Sequence, residues 1–223
     1  MKKQIAKLTS VIAVALSLLF TTACMGTYHT AQPVAEGETE MGFAVEMLKH
    51  TDEDGAFVPH PRIQVRRGVN EEMDIGFSAG SHGVAGSANF LLSDDGQTAI
   101  SISPYLGLST NRHFGGDDSF GGGVADPTFQ VGGFFSENYM LLSVTPMVLL
   151  DLTVADDTTI TFGGKPGLVY AREDGFGSSQ LMIGLSGGVK FDLGNWHLFP
   201  EFNAVKVEDM DGLLLTVGLG VGF

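Results

Sequence analysis

Cysteine is almost missing from this chain: Cys24 is the only one, so no internal disulfide framework can hold the fold. Basic residues are scarce as well, twelve Lys and Arg against 26 Asp and Glu. Removing residues 1–23 takes Lys2, Lys3 and Lys7 and no acid, which leaves nine bases and a net charge of −17. No basic patch is visible, and nucleic-acid binding needs clustered Lys and Arg, so that class is excluded. Long hydrophobic runs are also lacking: the longest, Val11 to Phe20, is too short to cross a bilayer as a helix. Charged residues make up only 17% of the chain, while Gly is abundant at 31. That mixture suits β-structure with many turns rather than a helical bundle. The length allows one substantial domain, and no shift in composition suggests two.

The most informative stretch is the last, Leu213 to Phe223. Leu213, Leu215, Val217, Leu219, Val221 and Phe223 form one apolar row, while Gly218, Gly220 and Gly222 leave the other face nearly bare. A period of two held this long means an extended strand with one greasy side. At the opposite end, three lysines precede a short apolar core and then Thr21-Thr22-Ala23-Cys24. A basic start, a brief hydrophobic core and small residues make residues 1–23 an export signal. Residues 24–37 have no sustained period and contain Pro33 and Gly37, so they read as a linker to the first strand.

The alternation begins at Thr39, with Met41, Phe43, Val45 and Met47 on one face and Glu40, Gly42, Ala44 and Glu46 on the other. Ile63 and Val65 alternate with Arg62, Gln64 and Arg66; Gly68-Val69-Asn70 then reads as a tight turn into Met73 to Ala79. Further alternating segments run through 84–92, 100–108, 144–154, 160–170, 181–191 and 196–203. Asp94-Asp95-Gly96, Asp156-Asp157 and Gly194-Asn195 read as turns between them. This gives ten segments, plus a doubtful eleventh at Pro127 to Ser136. Many run ten residues or longer, whereas strands of soluble domains cluster near five or six. Pro104, Pro146, Pro166 and Pro200 fall inside four of the segments and demand bulges or strand ends, because proline cannot donate to a ladder.

Long alternating strands, with short turns alternating with longer acidic loops and a final strand ending on Phe223, resemble the small outer-membrane β-barrels of Gram-negative bacteria. Only four tyrosines depart from the usual composition of such barrels. The resemblance implies an all-β fold, a closed antiparallel transmembrane barrel over residues 38–223. Even strand numbers favour about ten strands, with twelve as the alternative. It implies contact with outer-membrane lipid, both termini at the periplasmic side, and Phe223 as an assembly signal read by the barrel-assembly machinery. Phe191, Trp196 and Phe223 would then sit together at the periplasmic rim, where an aromatic girdle belongs. Ala23-Cys24 resembles the bacterial lipobox, although Thr21 stands where Leu is usual, and implies lipidation at Cys24.

The inward row of such a barrel carries Glu40, Glu46, Arg62, Gln64, Arg66, Asp74, Lys165, Lys190, His197, Glu201 and Asn203. Either they line a polar lumen that passes small solutes, or they pair with one another and plug a narrow barrel. The plugged or very narrow lumen is the preferred expectation, with a structural or passive small-solute role. The alternative is a soluble periplasmic lipoprotein, a β-sandwich or lipocalin-like cup for an apolar ligand. No cofactor is implied. His50, His60, His82 and His113 fall on expected outer loops but show no known ligand spacing, so no metal site is assigned. Asp52-Glu53-Asp54-Gly55 lacks the full calcium-loop pattern. Asp117 and Asp118 near His113 do not suffice for a catalytic assignment, and the chain is read as no enzyme.

Overall fold

A computed structural model describes residues 28–51, 58–80, 83–110, 139–173, 176–208 and 212–223. The signal segment with Cys24, the acidic run at residues 52–55, His82, His113, Asp117, Asp118 and the doubtful strand at 127–136 lie outside those residues. Ten strands form one closed antiparallel barrel: β1 (Thr39–His50), β2 (Val58–Asn70), β3 (Met73–Gly80), β4 (Gly83–Asp94), β5 (Thr98–Thr110), β6 (Tyr139–Ala155), β7 (Thr158–Glu173), β8 (Phe176–Asp192), β9 (His197–Val207) and β10 (Leu214–Gly222). Each strand pairs with its sequence neighbours, and β1 closes on β10 from Gly42↔Gly222 to His50↔Leu214. Closure leaves no edge with unpaired backbone.

Period-two alternation sorts the side chains by face. Phe43, Phe77, Leu106, Phe162, Ile183, Leu185 and Leu219 all point outward and are exposed, Ile183 to 68%. Arg62, Arg66, Asp74, Asp151, Lys165 and Glu201 point inward and are buried. Among the described residues no second sheet covers the apolar row, since all ten strands belong to the one barrel. The cup-like alternative requires the reverse sorting. The interior is not polar throughout, however. Leu48, Val169, Met182, Val205, Val207 and Leu214 are inward and buried toward the loop-bearing end.

Glu71–Glu72, Asp95–Gln97, Asp156–Asp157 and Leu193–Trp196 link strands at the end that also carries Glu38 and Phe223. The first of these corrects a reading above. Strand β2 continues through Gly68 to Asn70, so the glycine there is not a turn residue. A Cβ on Gly68 would lie 2.0 Å from the carbonyl oxygen of Ala35, and that close approach is what excludes a side chain. Gly96 and Gly194 do serve turns, with φ of 83° and 82°. Trp196, Phe191 and Phe223 are exposed at this rim.

The prolines also depart from expectation. Strands run straight through them, and the three register shifts lie elsewhere, at Gly68/Asn70, Leu91/Ser93 and Thr153/Ala155. Pro104, Pro146, Pro166 and Pro200 all put their rings on the exposed face. The ladders simply lapse beside them. Between β6 and β7 the pairing stops after Val144↔Leu168 and resumes at Val148↔Gly164, which sets Pro146 directly across from Pro166. Both would donate at that site and neither can.

Two tests follow from these features. Pro146→Val and Pro166→Val each restore one ladder bond, and each is expected to raise stability in lipid vesicles by roughly 1 kcal/mol; a denaturant midpoint that does not rise contradicts the lapse. In the β4–β5 turn the Asp95 carboxylate accepts from the N–H groups of Thr98 at 2.7 Å and Gln97 at 3.0 Å. These bonds hold its pKa below the usual carboxylate range. The turn is therefore stabilised above that range and loosened as pH falls through the depressed value. Amide exchange at Gln97 and Thr98, corrected for intrinsic rate, should quicken on acidification.

Candidate functional site: an occupied lumen

The barrel interior is filled in two ways. First, inward ions pair across strands. Arg66 on β2 bonds Asp74 on β3 and lies 3.5 Å from Glu40 on β1. Arg62 stands 3.8 Å from Glu46. Lys165 on β7 is fully buried, hydrogen-bonded to Asn203 and 3.5 Å from Glu201 on β9. Burying an ammonium without a partner is prohibitive, so these geometries are mutually required.

Second, the stretch read as a linker reaches β1 through the barrel interior. Tyr28 and Ala31 are 2% and 0% exposed, and His29 and Thr30 are buried beside them. The Tyr28 N–H donates to Glu201 Oε2 at 2.8 Å. The Ala31 N–H donates to Asp151 Oδ2 at 2.8 Å, and the Gln32 N–H reaches the same oxygen at 3.3 Å. The Val34 N–H donates to Asp74 Oδ2 at 3.1 Å. Two wall amides bind the opposite groups: Gln64 Nε2 donates to the Tyr28 carbonyl at 3.1 Å and Asn89 Nδ2 to the Ala31 carbonyl at 3.0 Å. The segment leaves the lumen beside β2, where Glu36 bridges to Gly68 and the Gly37 N–H donates to the Gly68 carbonyl at 3.0 Å.

The bare face of the last strand now has a physical cause. A Cβ on Gly218 would lie 1.7 Å from the Tyr28 hydroxyl oxygen, and one on Gly220 would lie 2.8 Å from its ring. Phe199 meets the Tyr28 ring edge-on, with centroids 6.4 Å apart, and Ala44 completes the slot. His197 fills the space above Gly222, where a Cβ would come within 2.3 Å of the imidazole. Ala31 packs in a second slot, against Ala99 and Leu149. Among the described residues, one cavity of about 20 Å³ is lined by His29, Arg62, Gln64, Arg66, Ser78, Ser87 and Tyr105 among others. That is room for a water molecule and little more.

Of the residues singled out from sequence, Glu46, Arg62, Arg66, Asp74, Lys165, His197, Glu201 and Asn203 are buried on the inner wall. Glu40, Gln64 and Lys190 share that wall less deeply; Lys190 pairs with Asp192 at 3.0 Å near the rim. Phe223 is exposed at the closing seam, exchanging backbone bonds of 2.9 Å with Met41. His60 is corrected: it lies on β2, buried in the lumen opposite Glu46, and not on an outer loop. Among the described residues no cluster of three or more His, Cys, Asp or Glu could hold a metal ion. Asp151, Asn89 and Tyr28 were not singled out. An acid among Leu149, Leu150 and Leu152 was the one available signal for Asp151.

No family model matches the chain, and no curated protein matches it. Solved structures do match in outline. Ail, the attachment invasion locus protein of Yersinia pestis, is 13% identical, covering 84% of this chain and 97% of its own, with a TM-score of 0.33. Neisserial surface protein A is 10% identical, covering 82% and 94%, with a TM-score of 0.39. The KdgM porin, solved in complex with disordered oligogalacturonate, is 11% identical, covering 82% and 98%, with a TM-score of 0.38. Likeness at this level carries no functional weight, and the barrel assignment rests on the strand pairing itself.

The Lys165–Glu201 pair supplies a direct test. Lys165→Met strands a carboxylate against the plugging segment and is expected to cost about 3–5 kcal/mol. Adding Glu201→Gln removes the orphaned charge while keeping an acceptor for the Tyr28 N–H, and should recover most of that loss. The comparison is made on denaturant midpoints in one lipid; equal destabilisation of single and double variants contradicts the pairing.

Proposed function

We propose that this chain is a bacterial outer-membrane β-barrel that rests closed, with a structural or passive small-solute role. One observation carries the proposal: a closed sheet exposes its apolar row to the outside and buries its ions within. An uncovered apolar surface wrapped around a barrel is unstable in water and fits a hydrocarbon environment. Exposed Phe191, Trp196 and Phe223 at one rim support an interfacial position for that end. Both termini of the barrel lie there, so we assign that end to the periplasm. Lipidation at Cys24 and recognition of the Phe223-bearing strand by the barrel-assembly machinery belong to the same proposal. Small solutes are the only cargo the filled interior suits, and no catalytic role is included.

The test is twofold. Membrane-extracted protein should resist carbonate and migrate faster in gels without boiling than after it, as a closed barrel does. In planar bilayers the unaltered chain should show almost no channel events. Carbonate-soluble protein with one migration position removes the membrane assignment; steady large conductance removes the closed resting state.

A further inference from the structure

Three carboxylates, Glu201, Asp151 and Asp74, accept backbone N–H groups from Tyr28, Ala31 and Val34. The donors are every third residue of the segment, and the acceptors stand on β9, β6 and β3, every third strand of the wall. Gln64 and Asn89 take the carbonyls of Tyr28 and Ala31. The wall thus reads the backbone of a bent peptide segment at repeated positions, on both its donors and its acceptors. Two slots select side chains by shape: an aromatic one between Gly218, Gly220 and Phe199, and one at Ala31 that admits only a small residue. Tyr28 is also the sole non-glycine among the described residues with positive φ, at 46°. A bulky residue holds that conformation only where its surroundings over-determine it. A passive filler would not need such a matched set.

We infer that the lumen is a binding site for a peptide segment, and that residues 28–36 are its resident ligand and act as a removable plug. The chemical class of the ligand is a short peptide without a basic Lys or Arg, with an aromatic residue and, three positions on, a small one. Backbone recognition by charged acceptors is strong per bond, yet the plug is joined to the wall covalently only through Gly37 and Glu38 at the rim. It can therefore leave without breaking any barrel ladder beyond the single Glu36–Gly68 bridge. This inference rests on the closed-barrel reading, and heat-modifiable migration of the unaltered chain judges that reading separately.

The experiment uses the full chain carrying Ala31→Trp, and a second variant lacking residues 28–36, each in planar bilayers. Ala31 has no room for an indole, so the first variant expels the plug while the wall is unaltered. Both variants are expected to show steady conductance that the unaltered chain lacks. A synthetic peptide of residues 28–36, acetylated and amidated, should close the deletion variant with saturable dependence on concentration. The same peptide carrying Ala31→Trp should bind about tenfold more weakly or worse, read by anisotropy of a labelled copy. Folded variants that both stay shut overturn the inference, as does a conducting deletion variant that the peptide neither binds nor closes. Loss of the folded barrel in both variants makes the segment an indispensable core and overturns it too.

Discussion

A ring of backbone hydrogen bonds that closes on itself is the constraint from which the rest follows. Once β1 pairs with β10, every strand has two neighbours, and the sheet has only an inside and an outside. Period-two alternation then forces a choice of which row faces which way. The apolar row here is larger and more continuous than a lumen this narrow could hold, so it goes outside. The ions go inside, where they have no water to spare and must find one another. Arg66 with Asp74 and Lys165 with Glu201 are consequences of that sorting. They are the arrangement in which a buried charge is tolerable, and are not an added source of stability.

The same sorting leaves an excess of carboxylate. Asp151 makes no short ion pair; its oxygens are met by Thr161, Ala31 and Gln32. Backbone N–H groups are a neutral way to satisfy an inward acid, and the segment offers them at every third residue. The barrel and its plug therefore solve each other's problem. The segment brings unpaired backbone that needs partners away from water, and the wall brings acceptors that the cations do not saturate. Glycines on β10 and β2 thin the wall where the segment must pass closest.

How far the fold was legible follows from what each residue answers to. The row Leu213 to Phe223 answers only to which face is greasy, so its alternation announced an outward strand directly. Gly218 and Gly220 sit in the same eleven residues, yet their reason is Tyr28, nearly two hundred positions away. Gly68 misled for the same cause: a glycine beside Asn70 suggests a turn, but this one yields to Ala35. Residues 28–36 carry no period because their contacts come from β2, β3, β4, β6 and β9 by turns. A segment surrounded on all sides has no face to repeat. His60 looked like a loop residue because it closes the polar stretch that holds Asp52-Glu53-Asp54-Gly55, although β2 already begins at Val58.

The prolines inside the strands show how the wall and its filling meet. A wall facing hydrocarbon has no solvent to cover a missing ladder bond, so the opposed Pro146 and Pro166 leave a weak seam between β6 and β7. Immediately behind that seam the inner face is filled: Thr145 and Met147 are buried, and Lys165 has no exposed surface at all. Lys165 is tied in turn to Glu201, which also holds the plug at Tyr28. That bond ties β7 to β9 across the lumen, beside the gap in the β6–β7 ladder. The gap in the ladder therefore stands next to a buried ion pair of the wall itself, one member of which also meets the plug.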